Sequence, residues 1–153
     1  MENFRLEQLA NATLECERLI DAATIAEAKA SQAQTLAVSL YSQVTAAMFE
    51  VAQASDVVAH KIEQTQTTFS TMKILSEYGA TTDADSLYLK GCQQQEESKQ
   101  ALEVYLQKAD QLTKLSLSYE EARTNVNILT AERDRLMQLA HLAMAKAASL
   151  TQS

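Results

Sequence analysis

The sequence predicts an all-α protein, a long antiparallel helical hairpin with a coiled-coil-like, Ala-rich seam. Three observations carry that reading. The 153 residues include no Pro, no Trp and only two Gly, so the chain lacks the turn residues that sandwiches, barrels and doubly wound sheets need. Apolar and small residues recur at alternating three- and four-residue steps, the spacing of one helix face. One turn signal near the middle separates two periodic segments of similar length.

The first arm is expected over about residues 3–78. Its stripe reads Leu9, Thr13, Cys16, Ile20 and Ala23, then Ala30, Ala33, Ala37, Leu40, Val44, Ala47, Val51, Ala54 and Val58. From Ala33 to Val58 the advance is strictly heptad, and a seven-residue repeat keeps one seam facing a partner helix instead of drifting round the surface. Four of those eight seam positions are Ala, which lets the partner backbone come closer than across leucines. The pattern stops at SEYGATTDADS, where Gly79 suits the left-handed position past a helix end and Thr82 with Asp85 has capping-box spacing, so the turn is expected at about 79–83.

The second arm, about residues 84–150, carries Leu102, Tyr105, Ala109, Leu112, Ser116, Tyr119, Ala122, Val126, Leu129, Arg133, Leu136, Ala140, Ala143, Ala147 and Leu150. Each arm would be roughly 100 Å long at about 1.5 Å per residue if unbroken. Two runs rich in hydroxyl and β-branched residues, 65–71 and 115–122, are candidate breaks; if both broke, a compact monomeric four-helix bundle would result. The heptad phase passes from Ser116 to Tyr119 without a slip, which favours continuous arms. The whole chain, 1–153, is then a single helical domain. Folding it about position 81 sets Glu63 opposite Lys99, Glu50 near Lys114, Glu27 opposite Arg135 and Glu15 or Glu17 near Lys146, with Lys29 opposite Arg133 as the discordant pair.

Composition excludes several function classes. With 13 Lys+Arg against 20 Asp+Glu, the net charge is -7, and the cations are scattered, so no nucleic-acid surface is expected. The N-terminal stretch holds acidic residues throughout and no continuous apolar run, unlike a secretory signal. Two distant cysteines, Cys16 and Cys92, form no disulfide framework and suit a reducing compartment, which points to the cytoplasm with signal-less export left open. Residues 30–49 are twenty in a row without a charge, yet eight are Ser, Thr or Gln, so no membrane span is expected. Val38, Tyr41, Met48 and Ala52 form a second flank there, beside the seam. One partner helix cannot cover both, so the hairpin is expected to associate with itself or with another helical protein, as a four-helix or larger bundle.

Chemistry-bearing groups are sparse. Asp56, His60 and Glu63 share a helix face, but a metal site or catalytic triad needs more ligands or a nucleophile. A di-iron centre would require Glu three residues before a His, whereas Val57 and Gln138 stand there. Met137, His141 and Met144 combine soft and imidazole ligands that suit Cu(I), though among Leu136, Leu139, Ala140 and Ala143 they read as core methionines beside a His. The apolar arc from Leu136 to Leu150 reads as surface buried in an oligomer. No catalytic, cofactor or metal residue is assigned.

The expected function is that of a non-enzymatic helical interaction protein, an adaptor, scaffold or assembly subunit. Its expected interface is Ala33, Ala37, Leu40, Val44, Ala47, Val51, Ala54 and Val58 with Tyr105, Ala109, Leu112, Tyr119, Ala122, Val126, Leu129, Leu136, Ala140 and Ala143. A second reading is an amphipathic protein coating lipid or storage granules through peripheral contact, which the lack of Trp anchors weakens. A third is a helical component or chaperone of a bacterial secretion apparatus, by analogy of shape alone. Ala47→Glu puts a carboxylate at a close-packed seam position and is expected to disrupt the assembly. Light scattering and circular dichroism check it; unchanged mass and helicity would count against the register.

Overall fold

The heptad pattern folds as two helices joined by three residues. A computed structural model describes residues 2–152, with α1 over Glu2–Glu77, α2 over Thr81–Gln152 and Tyr78, Gly79 and Ala80 between them. No strand occurs among the described residues. Both runs expected as candidate breaks stay helical. Thr65, Thr68, Thr71 and Thr113 each donate a hydroxyl hydrogen bond to the carbonyl four residues back, at 2.8 to 3.0 Å. Those hydroxyls are satisfied inside the helix and do not compete with it.

The turn follows from Gly79. Its N–H donates to the Ser76 carbonyl at 3.2 Å and the Ala80 N–H to the Leu75 carbonyl at 2.9 Å, the paired bonds of a Schellman motif. That motif needs a left-handed residue, and Gly79 has φ 78°. The Ala80 carbonyl already accepts the Ala84 N–H at 3.0 Å, so α2 starts at Thr81, inside the turn expected at 79–83. Thr82 and Asp85 are therefore helical residues and not a capping box. Asp83 lies in the first turn of α2, where its charge is favourable against the helix dipole.

The packed helices group into two compact units, one combining α1 through Tyr41 with α2 from Ser118 onward, the other Ser42–Leu117. In both, the less exposed residues follow the heptad. On α1 two series at seven-residue steps, Leu9 to Met72 and Ala12 to Leu75, are buried or half-buried at every position; on α2 the same holds from Ala84 to Ala147 and from Leu87 to Leu150. In the first unit, five successive α1 seam positions are Ala23, Ala26, Ala30, Ala33 and Ala37. Val126, Leu129, Arg133 and Leu136 occupy the facing stretch of α2, so large residues from one helix meet small ones from the other.

The expected stripe is corrected at three places. Leu19 is 7% exposed and Ile20 41%, so the seam takes Leu19 and, one heptad earlier, Ala12, in place of Ile20 and Thr13. Ala101, not Leu102, is the half-buried seam residue of α2. The expected charge pairs shift as well. Lys61 pairs with Glu97 at 3.1 Å, Lys108 with Glu50 at 3.4 Å and Arg133 with Glu27 at 3.2 Å. Lys114 and Arg135 turn instead to Asp110 and Glu132 on their own helix. The cause is the turn: centred on Gly79 and not on position 81, it displaces every facing pair. Glu15 does feel Lys146, although the larger cause holding its carboxyl below the usual range is the hydrogen bond from Arg18.

Within the 42–117 unit, Gly91 has a steric role. A Cβ there would lie 2.6 Å from Phe69 Cε1 and 2.8 Å from Cζ, and the Phe69 ring is also tilted on Tyr88 with centroids 6.4 Å apart. Gly91→Ala is expected to lower stability by about 1 kcal/mol, because overpacking outweighs the gain in helix propensity. In a Phe69→Ala background the same change is expected to stabilise by about 0.5–1 kcal/mol. Urea unfolding of the four chains checks the reversal of sign; a stabilising Gly91→Ala in the native background would show that the ring yields freely.

Candidate interaction surfaces

Two flanks border the seam of the 42–117 unit, and they differ in charge. On one flank of the 42–117 unit, Glu50 and Val57 of α1 lie with Val104 and Lys108 of α2 around a shallow groove. The Lys108–Glu50 and Lys61–Glu97 ion pairs cross between the helices here. Partly exposed pairs of this kind contribute little to stability, but they line this flank with charge. The other flank of the same unit carries Met48, Ala52, Ser55, Ala59 and Ile62 on α1 and Leu102, Leu106 and Ala109 on α2, none of them charged. Met48 is 58% exposed and Leu106 56%.

The seam of this unit also contains a polar layer near the turn. The Thr68 hydroxyl lies 2.6 Å from Gln94 Oε1 and 3.0 Å from the Gln64 carbonyl, so its one proton is shared between the two acceptors, and the hydroxyls of Thr65 and Ser98 lie 3.3 Å apart. Thr65 and Thr68 are buried, and among the described residues no buried side-chain nitrogen or oxygen lacks a partner. Buried polar groups are tolerated on that condition.

The unit formed by α1 through Tyr41 and α2 from Ser118 has a groove of about 490 Å³ lined by Ile20, Ala23, Thr24 and Glu27 of α1 and Met137, Ala140, His141 and Met144 of α2. Met137, His141 and Met144 thus share a wall, as their spacing implies. Further along, Tyr41 and Tyr119 meet with ring centroids 5.6 Å apart and planes inclined by 52°. Arg133 bridges Glu27 and Asp134, and these partners hold its guanidinium above the ordinary pKa, the Asp134 hydrogen bond being the largest cause. Its stem fits at a seam position because the α1 residues nearby are alanines.

The expected interface residues other than Ala109, which stands on the uncharged flank, belong to the two heptad series of their helix. Ala33, Ala37, Ala54, Ala122 and Ala140 are buried; Leu40, Val44, Ala47, Val51, Val58, Tyr105, Ala109, Leu112, Tyr119, Val126, Leu129, Leu136 and Ala143 are half-buried. They are divided between the two units and, Ala109 apart, form the hairpin's own seam. The surface left open is the flank, and Val38, Tyr41 and Met48 are each 58% exposed. Thr65, Thr68, Gln94 and Ser98 are seam residues that apolarity could not reveal, although Val58, Thr65 and Met72 continue the heptad of Val44 and Val51.

Asp56, His60 and Glu63 are all exposed. Among the described residues no three His, Cys, Asp or Glu side chains are grouped so as to hold a metal ion. Cys16 is half-buried and Cys92 exposed, both as free thiols. No helix among the described residues is long and apolar enough to cross a membrane. Comparisons with protein-family models, with curated proteins and with solved structures each find no match for the chain.

Proposed function

We propose that this chain is a non-enzymatic helical interaction protein, an adaptor, scaffold or assembly subunit, that acts by coiled-coil packing against itself or another helical protein. The observation that supports this most is the apolar surface each unit leaves exposed. Leu14, Ile25, Leu36, Met48, Phe49 and Leu142 are among the large side chains more than half exposed. A pair of helices covers one stripe of each, and the remaining apolar arcs are satisfied by further helices. In this reading the protein works in a reducing compartment, where Cys16 and Cys92 remain thiols.

Site-specific photocrosslinking in the cells that express the protein tests the proposal. A photoreactive residue replacing Met48 or Ile62, on the uncharged flank, is expected to give discrete protein adducts. The same residue at the exposed His60 position is expected to give far fewer. Adducts to lipid alone would transfer support to the surface-coating reading, and an absence of protein adducts from both flank positions would sink the interaction role.

A further inference from the structure

We propose that the uncharged flank of the 42–117 unit is an interface with a second copy of this chain, in which α2 of each protomer lies along α1 of the other. The inference rests on the interaction reading above and supplies its surface and partner.

Three features of this flank point to the same occupant. The first is size complementarity at equal height. In this unit the pairs Lys61–Glu97 and Lys108–Glu50 fix which residues of the two helices stand level. Leu102 is level with the Ser55 to Ala59 turn of α1 and Leu106 with the Ala52 to Ser55 turn. A two-fold axis parallel to the helices brings each protomer's α2 over the other's α1 at the same height. Leu102 and Leu106 then project over Ala52, Ser55 and Ala59, while Met48 meets the small Ala109. Each contact occurs twice, so the flank is self-complementary and the assembly closes as a dimer.

The second feature is charge. Between Thr45 and Ile62 on α1, and between Leu102 and Thr113 on α2, the positions on this flank carry no charged side chain, so the face meets its own copy without burying a charge. The opposite flank of the same unit holds Glu50, Lys61, Glu97 and Lys108, which would be desolvated by a similar contact. At the rim of the proposed interface Asp56 and Glu103 are exposed and would approach their counterparts across it, a repulsion that salt screens. The third feature is apolar exposure on both helices of the flank, since Met48 is 58%, Ile62 44%, Leu102 44% and Leu106 56% exposed, and such a patch on both helices is covered at once by the same patch of a second copy.

Sedimentation equilibrium of the purified full-length chain tests the proposal. The wild-type chain is expected at twice 16.9 kDa, with association tightening as salt is raised. Ala52→Glu and Leu106→Lys, each alone, are expected to weaken the dimer by about 100-fold through an unpaired interfacial charge. Mixed one to one they are expected to recover it. One contact of the mixed dimer then pairs the introduced Glu with the introduced Lys, and the other keeps the native Ala52 and Leu106. Val57→Glu, on the charged flank, is expected to keep the wild-type mass, and circular dichroism separates dissociation from unfolding. A wild-type chain still monomeric at about 100 µM overturns the second-copy inference. If protein adducts from Met48 in cells accompany that monomer, the interaction reading stands and only its partner changes. A dimer weakened equally by Val57→Glu, or one not recovered on mixing, overturns the assignment of the surface.

Discussion

The spacing of small residues along the seam is the constraint on which the rest of the structure depends. Each helix offers buried or half-buried residues at unbroken heptad steps, so in each unit the same narrow stripe stays turned toward the other helix. The stripe is made narrow by alanine. Where Ala23 to Ala37 supply five successive seam positions, little apolar area is removed from water per turn, and stability must come from close backbone approach and from larger α2 residues filling the space. Buried apolar residues are correspondingly modest: among the described residues Leu19 is the only one larger than Ala. A seam of this kind orders two helices without covering them.

That shortfall explains the sidedness of the surface. Bulky residues such as Ile20, Met48, Ile62, Leu102 and Met137 stand just outside the seam and remain substantially exposed. In the 42–117 unit the flank with Glu50, Lys61, Glu97 and Lys108 is bridged between the helices by ion pairs, and the other is apolar and uncharged. Exposed apolar patches extending over several turns are unusual in monomers and mark association surfaces. On the interaction reading proposed above, that uncharged flank is the face on which further helices pack.

Much of the fold was legible because helix periodicity and turn chemistry are local. Gly79 marked the turn, and the heptads from Ala33 to Val58 marked the seam. The misplaced stripe residues share one physical origin, which is that hydrophobicity is a weaker guide than spacing when the seam is small. Ile20 resembles a core residue more than Leu19 followed by Ala23 does, and Leu102 more than Ala101, yet geometry gives the seam to the residue in phase. The charge pairs were displaced because their register depends on where a single turn begins, and the Thr82–Asp85 pattern imitated a cap that the Ala80 carbonyl had already made unnecessary. The polar layer escaped notice because Thr65, Thr68, Gln94 and Ser98 carry no apolar signal, only position.

That layer has a consequence for specificity. A heptad seam rich in alanine is tolerant of slippage by seven residues, since one small residue replaces another and little packing is lost. Near the turn the tolerance ends. Sliding α2 by one heptad in either direction would bring Ala84 or Ser98 against Phe69 in place of Gly91, and the built Cβ distance of 2.6 Å at Gly91 shows that this space admits no side chain without movement of the ring. The same slide would separate Thr68 from Gln94 and leave the half-buried Gln94 amide to find another partner, while the Thr68 hydroxyl keeps the Gln64 carbonyl. A hydrogen-bonded pair and a glycine notch, about three to four turns from the three-residue connection, thus oppose alternatives that the alanines alone would permit, as a single buried polar residue does in coiled coils.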